Sequence, residues 1–450
     1  MDIKEMVALS RAALAEFEDY SQEKVDAIVK AIAKVVYDNA DPLAKMAAEE
    51  TRMGVYEHKI KKNQGKARII WHSLKNKRSV GILDDNSEPG IVKIAKPKGV
   101  IACVQPCTNP IVTPMFNSMI ALKGRNTVII APHPRAKKAT RHVVDLFTKE
   151  LDKLGAPKNL ILAVDEPSNE LTQELMRSCD AVVATGGMGM VRAAYSSGKP
   201  AFGVGAGNVQ CIIDKGYDLG VCIPKILEGR CFDNGIICSG EQTIIAHKDD
   251  YRAMVEVLRA NKVYFTDNKA EIEKVRAAVF PGGVMSKDLV GQPVAKIAAA
   301  AGLQIPDGTV CIAVEAGTYG KADLLSKEKM CPVISTYSYE SFTEAVAIAN
   351  ANLEVEGRGH SVSLHTDDKT HAEYAGLNIP VCRVLVNQIC ATMNGGSFMN
   401  SLTPTTTLGC GSWGNNSISE NLGYFHLINV ARVAYPLENA KVPTDDEIWG

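Results

Sequence analysis

Two short runs, Val100-Ile101-Ala102-Cys103-Val104 and Thr127-Val128-Ile129-Ile130, decide how this chain folds. Both are apolar almost throughout and rich in β-branched residues. A strand wet on one face alternates apolar and polar side chains, so a run without alternation belongs in a sheet covered on both faces. Between the two runs, Met115, Met119 and Leu122 keep helical spacing. The same rhythm continues outward. A helix is expected at 136–154, a strand at 160–164, a helix at 170–177, a strand at 181–185 and a helix at 188–196. Fully apolar strands alternating with helices predict a doubly wound parallel sheet of the nucleotide-binding type.

Upstream, the first ~78 residues read as helices. Ile3, Met6, Val7, Ala13, Leu14 and Phe17 form one stripe, and Ser21 caps a second helix through Val25, Ile28, Ile32 and Val35. Asp41-Pro42 reads as a cap followed by a first-turn proline, with Gly54 closing that helix. Residues 80–83 and 91–94 are short β-like runs separated by a polar break. Downstream of Cys231 a second α/β alternation begins, with strands expected at 243–246, 310–314, 333–336 and 381–386, and helices at 250–259 and 341–350. The stretch 394–421 is rich in Gly, Ser, Thr and Asn, and a loop of that length is functional or disordered. The expected division is a cofactor-binding domain over 1–230, a catalytic domain over 231–414, and a segment over 415–450 that packs back on the first domain.

Composition narrows the class. The chain has 450 residues, with 50 basic and 51 acidic side chains and a formal net charge of −1, which argues against a nucleic-acid partner. No apolar run approaches the ~20 residues of a membrane span. The N-terminus reads as neither a signal nor a transit peptide. Twelve cysteines without a CxxC pair suit a reducing cytoplasm rather than a disulfide framework. No metal-ligand spacing and no GxSxG elbow occur. The expectation is a multidomain cytoplasmic enzyme acting on small molecules.

Two segments carry candidate chemistry. Thr185-Gly186-Gly187-Met188-Gly189 lies between a strand and a helix, where backbone amides could meet phosphate, although it equally reads as a tight turn. Phe232-Asp233-Asn234-Gly235-Ile236-Ile237-Cys238-Ser239-Gly240-Glu241-Gln242 places a cysteine after an Asn-Gly turn and before a strand, among small polar neighbours. Most cysteines are buried hydrophobes, but these neighbours favour access for Cys238.

Taken together, Pro106-Cys107-Thr108-Asn109-Pro110, Ala131-Pro132-His133-Pro134, Ala184-Thr185-Gly186-Gly187, the run from Asp233 to Cys238, Glu328-Lys329-Met330-Cys331-Pro332-Val333 and Thr407-Leu408-Gly409-Cys410-Gly411-Ser412-Trp413-Gly414 resemble, in order, the CoA-acylating branch of the aldehyde dehydrogenase superfamily. Within that branch the chain is most similar to members acting on succinate semialdehyde. The resemblance implies an aldehyde dehydrogenase-like α/β fold with a Rossmann-like cofactor domain and an α/β catalytic domain. It implies NAD or NADP as cofactor, coenzyme A as co-substrate, and a homodimer or homotetramer. By motif, Cys238 is the nucleophile and Asn109, with the Cys238 backbone N–H, stabilises the oxyanion. Glu328 holds the nicotinamide ribose, and Pro132, His133, Arg135, Thr185, Gly186 and Gly187 border the dinucleotide. His360, between glycines, manages a CoA or thiohemiacetal proton.

Two departures from the hydrolytic relatives matter. They carry Glu-Leu-Gly-Gly where this chain has Gly203-Val204-Gly205-Ala206. Without that glutamate a thioacyl enzyme resists water and awaits a thiol, so the resemblance implies reversible reduction of an acyl-CoA. They also carry a lysine where Ala131 stands, which leaves the choice between NAD and NADP open beside His133, Arg135 and Lys138. Lys59, Lys62 and Lys66 fall on one helical face. Such a face is usually solvated. The resemblance gives Lys66, helped by Ser239, a role in binding the carboxylate of a succinyl chain. The readings set against this one are a short-chain acetaldehyde-forming enzyme, a hydrolytic aldehyde dehydrogenase, and an inactive scaffold that keeps the fold.

Overall fold

The computed structural model describes residues 1–83 and 88–450. Fifteen strands form three sheets among the described residues. The first sheet is parallel and comprises β3 (Val100–Val104), β4 (Thr127–Ala131), β5 (Ile161–Ala163), β6 (Ala181–Thr185) and β7 (Ala201–Val204), in the order β5-β4-β3-β6-β7. The two runs that opened the reading are β3 and β4. They pair directly, Val100 opposite Thr127 through Val104 opposite Ala131, and every residue of both is buried. The strand order reverses between β3 and β6, which is the switch point where ligands of such sheets bind, outside the carboxyl ends of the strands.

Helices α1 (Ile3–Phe17), α2 (Gln22–Asp38), α3 (Ala40–Thr51), α4 (Tyr56–Leu74), α5 (Val112–Lys123), α6 (Lys137–Lys153), α7 (Asn169–Ser178) and α8 (Met188–Tyr195) accompany this sheet. The Ser21 hydroxyl accepts the Lys24 N–H as an N-cap, and the stripe Val25, Ile28, Ile32 and Val36 is buried. One expected boundary is corrected. α3 is capped at Asn39 and begins at Ala40, so Pro42 lies inside the first turn, where its missing N–H is tolerated. The helix closes at Arg52 in a left-handed conformation, not at Gly54. Gly54 serves a different need: a Cβ there would lie 2.0 Å from the Asp233 carboxylate oxygen.

The second sheet is also parallel and joins β8 (Val209–Ile213), β9 (Glu241–His247), β10 (Val263–Thr266), β11 (Cys311–Glu315), β12 (Val333–Tyr339), β13 (Val362–His365) and β14 (Val384–Val386), in the order β10-β11-β12-β9-β8-β13-β14. β8 and helix α9 (Leu219–Cys231) belong here, because Cys211, Ile213, Cys222, Ile223 and Ile226 share one core with Ile244, Ile334 and the β10–β11 residues. The crossing between the sheets therefore lies between Val204 and Val209, earlier than the boundary expected after residue 230. An apolar strand and a capped helix could not be told apart by pattern from further units of the first sheet.

The third sheet is antiparallel, with β2 (Ile91–Pro97) between β1 (Gly81–Ile82) and β15 (Ile428–Ala434). Part of the polar break before β2, residues 84–87, lies outside the described residues. Leu422 and Leu427, ahead of β15, join the core of the first sheet and its helices. The stretch 394–421 has little regular structure, yet Thr405, Thr407, Leu408 and Cys410 within it are buried.

Candidate active site

Cys238 follows α9 and a sharp turn in which Asp233, Asn234 and Gly235 all have positive φ, at 53°, 54° and 74°. The chain then enters β9. The thiol faces a cavity of about 440 Å³ whose wall includes Lys62, Lys66, Asn109, Phe232, Ile237 and Leu408. Lys61 and Arg68 add two more cations, and no Asp or Glu lines the cavity among the described residues. Burial pushes the Cys238 thiol up to about 12, with Glu328 adding to the shift. The Arg383 guanidinium and the backbone N–H groups of Cys238 and Ser239 act in the opposite direction.

Gly207 joins the parts. A Cβ there would sit 1.9 Å from the Cys238 carbonyl oxygen and 3.3 Å from His360 Cε1, so only glycine admits this approach. Its N–H donates to Glu328 Oε1 at 3.1 Å. Burial, and then the neighbouring Glu356, raise the Glu328 carboxyl to about 8. Glu356 also accepts the Glu328 backbone N–H at 3.0 Å. Glu328 Oε2 takes no hydrogen bond from the described residues. His360 is fully buried and neither ring nitrogen has a partner. Burial lowers its pKa to about 3, so the ring is neutral.

Asn109 stands in the loop after β3, just ahead of α5. Its Nδ2 donates to Thr108 Oγ1 at 3.4 Å, while its buried Oδ1 is unpaired. Lys66 reaches the cavity from α4, and its ammonium donates to the carbonyls of Gly395 (3.0 Å) and Thr405 (3.2 Å). An ammonium has three N–H donors, so one remains for a ligand. Burial lowers Lys66 to about 8. Ser239 does not join it. Its side chain is buried, its hydroxyl donates to Ala391 O at 3.0 Å, and it is not part of the cavity wall. In the turn that leads into β9, Cys238 lines the cavity and Ser239 points away from it.

The dinucleotide candidates fall at the carboxyl ends of β4 and β6. Thr185 ends β6 and Gly187 caps α8, and a Cβ on Gly187 would meet nothing within 4 Å, so this backbone is open to a phosphate. Pro132 is buried, and His133 Nδ1 accepts the Arg135 N–H at 3.1 Å, with Arg135 exposed. This arrangement fits a dinucleotide laid across the switch point. The α6 N-terminus beside it is already filled: the Glu50 carboxylate accepts the N–H groups of Lys138 (2.8 Å) and Ala139 (2.7 Å). Sequence reasoning missed Glu50, because nothing local distinguishes it from a solvated helix acid.

The position where hydrolytic relatives carry the glutamate, Gly203, is closed, and so is nearby Gly205. A Cβ on Gly203 would meet Val191 Cγ1 at 2.9 Å and the Tyr195 ring at 3.1 Å, and one on Gly205 would meet Met188 Sδ at 2.2 Å. Arg383 was also missed. Its buried guanidinium donates to the carbonyls of His360 (2.8 Å) and Gly409 (2.7 Å), tying the His360 strand to the Leu408-Gly409-Cys410 loop. An arginine within the apolar run 381–386 was the available signal.

The chain as a whole is similar to known proteins. The profile described as the aldehyde dehydrogenase family matches residues 1–277. This chain belongs to that family. Over 450 residues it is 51% identical to a Clostridium kluyveri protein named succinate-semialdehyde dehydrogenase (acetylating), covering 100% of this chain and 99% of that one. It superposes on an acetylating aldehyde dehydrogenase from Geobacillus thermoglucosidasius with a TM-score of 0.94 at 34% identity, covering 98% of each chain. An engineered glycolyl-CoA reductase with bound NADP+ gives 0.85 at 25%, covering 96% of each. Among the described residues, no helix of this aldehyde dehydrogenase is long and apolar enough to cross a membrane.

Proposed function

We propose that this aldehyde dehydrogenase catalyses the reversible NAD(P)H-dependent reduction of succinyl-CoA to succinate semialdehyde and CoA. One observation carries the reading: a half-buried cysteine thiol and an asparagine amide share one cation-lined cavity, without a carboxylate to activate water among its described lining residues. Cys238 sulfur attacks the thioester carbonyl, forming the Cys238 thioester as the bond to CoA sulfur breaks. Asn109 Nδ2 and the Cys238 N–H receive the developing oxyanion, one such donor being worth about 2.7–4 kcal/mol. The proton leaving Cys238 passes to the CoA sulfur, and the neutral, unpartnered His360 ring is the relay. When bound, NAD(P)H would supply the hydride; the bond from the reduced carbon to Cys238 sulfur then breaks, releasing the aldehyde, and the sulfur takes up a proton to restore the thiol. The open backbone at 185–187 and the free Glu328 Oε2 would hold the cofactor, and either dinucleotide is compatible with His133, Arg135 and Lys138. Acyl transfer between the CoA and Cys238 sulfurs is nearly isoenergetic, so that step runs either way with concentration, and the NAD(P)H/NAD(P)+ ratio biases the redox step.

The spare N–H of Lys66 supports a substrate with a distal carboxylate. A panel of succinyl-, butyryl- and acetyl-CoA with NADH and NADPH tests this. Succinyl-CoA should lead, and an acetyl-CoA preference would move the assignment to the short-chain enzymes. Lys66→Ala should lower kcat/KM for succinyl-CoA by about 10–100-fold, the worth of a charge-assisted hydrogen bond, and leave butyryl-CoA within about threefold. Equal losses would make Lys66 a fold or CoA residue. With aldehyde and NAD(P)+ but no CoA, the expected result is a stoichiometric burst, and sustained acid release would point to hydrolysis. We further infer a dimer or tetramer, supported by the exposed Val433, Tyr435 and Leu437 at the end of β15, with light scattering as the test. The twelve free thiols support a cytoplasmic setting.

A further inference from the structure

We infer that Asp233 is a positioning residue, whose carboxylate fixes the nucleophile turn against α4 and so keeps Cys238 in register with Asn109. The inference rests on the reading of Cys238 as nucleophile.

The turn needs holding. Asp233 and Asn234 are non-glycine residues in the left-handed region, followed by Gly235 in the same region. Such conformations persist only where their surroundings over-determine them. Asp233 is fully buried, and its carboxylate accepts the Val55 N–H (2.7 Å) and the ammonium groups of Lys59 (3.1 Å) and Lys62 (2.6 Å). Its own N–H donates to His58 Nδ1 at 2.9 Å, and the His58 ring stacks on Phe232 with centroids 4.9 Å apart. Asn234 Nδ2 donates to the carbonyls of Gly54 (3.3 Å) and Gly291 (3.0 Å). Every contact of the Asp233 side chain is to the entry or first turns of α4.

The same lysines face the other half of the chemistry. Lys59 and Lys62 line a small cleft with Thr108 and Asn109. The oxyanion donor belongs to the first sheet's loop and the nucleophile to the second sheet's turn, and α4 lies between them. Asp233 is the anion that joins the two through Lys59 and Lys62. It is not part of the main cavity's wall, whereas Lys62 and Phe232 are. Asp233 therefore acts through its neighbours rather than on the substrate. The pair of lysines outnumbers the one carboxylate, so removing Asp233 alone leaves two buried cations facing each other.

A purely structural ion pair would change how much enzyme is folded, and a positioning residue changes the rate at each folded site. The experiment measures kcat per site, with sites counted by the burst amplitude, alongside the rate of Cys238 alkylation by iodoacetamide, which needs no oxyanion donor. Asp233→Asn should lower kcat per site for succinyl-CoA about 100-fold at a KM changed by less than threefold, the scale of a small misplacement of reacting groups. Alkylation should change less than about threefold. The double variant Lys59→Met/Asp233→Asn restores the charge balance. It should regain thermal stability without regaining kcat. Wild-type kcat per site in either variant overturns the inference. If neither folds, His58→Ala decides: a fall in kcat at unchanged KM supports the positioning role, and wild-type kcat per site overturns it. Turnover surviving in Cys238→Ala would instead remove the nucleophile reading on which this inference stands.

Discussion

The turn before Cys238 and the turn after β6 are built in opposite ways. The turn before Cys238 is gripped from α4, from Gly54 and from Gly291, with three successive left-handed residues locked by buried ion pairs. The turn after β6 is almost untouched: Gly186 would meet only Met190 Cβ, at 3.8 Å, and Gly187 nothing. The difference follows from what each must do. A sulfur that attacks a carbonyl loses rate steeply with misplacement, so its geometry is set before the substrate arrives. On the proposed reading, the 185–187 backbone would receive a phosphate by staying bare and would take its final contacts from the ligand.

The sharpest break of that comparison is Cys238→Ala, which should take turnover below detection in both directions while leaving dinucleotide affinity within about twofold of wild type, because the gripped turn carries chemistry that the bare one lacks. Residual turnover in a kinetic assay would mean another cysteine is the nucleophile. Next comes Gly207→Ala. Its Cβ would lie 1.9 Å from the Cys238 carbonyl, so the nucleophile must shift. A fall in kcat of about 100-fold is expected, and an unchanged kcat would mean the turn is less fixed than its contacts indicate.

The third prediction concerns pH. The Glu328 carboxyl titrates at about 8 in the folded protein against an ordinary value of 4.5. Between those values the folded state holds a proton that the unfolded chain has released, so this group lowers stability as pH rises from 4.5 toward 8. Glu328→Gln removes the titration, and its Tm should fall less over that window than the wild-type Tm. Parallel curves would show that Glu328 is not held neutral. The smallest effect is expected at the bare turn. Gly187 has φ −64°, which alanine adopts freely. Gly187→Ala should leave Tm unchanged and weaken dinucleotide binding by less than about tenfold, measured by nicotinamide fluorescence. A large Tm loss would show hidden packing there.

Legibility in the sequence divides along the same line. The strands β3 to β6 stood out because they are apolar almost throughout, whereas β7, β8, β10 and β13 were not read as strands, and Cys238 stood out because its neighbours are small and polar. The shared face of Lys59, Lys62 and Lys66 was readable from spacing alone. What those ammonium groups hold was not. Lys59 and Lys62 meet Asp233 from more than 170 positions away, and Lys66 meets carbonyls of 395 and 405, from a loop whose composition said only that it was irregular. Ser239 misled because adjacency in sequence was taken for adjacency in the cavity. The expected boundary after residue 230 fell late because β8 and α9 were not read as elements, and nothing in the pattern marked 209–231 as the start of the second sheet.

The crowding at Gly203 has a consequence for how this enzyme could change. A glutamate there would have to displace Val191 and the Tyr195 ring, and the Tyr195 hydroxyl is itself engaged by the N–H groups of Gly203 and Ser417. A route back to water-consuming chemistry is therefore not a single substitution. It demands repacking α8 and loosening the 417 loop together, and each step alone is a loss. On the proposed reading, packing at Gly203 bars the water-activating glutamate by volume, so a mutational drift toward hydrolysis would meet a wall before it met a benefit.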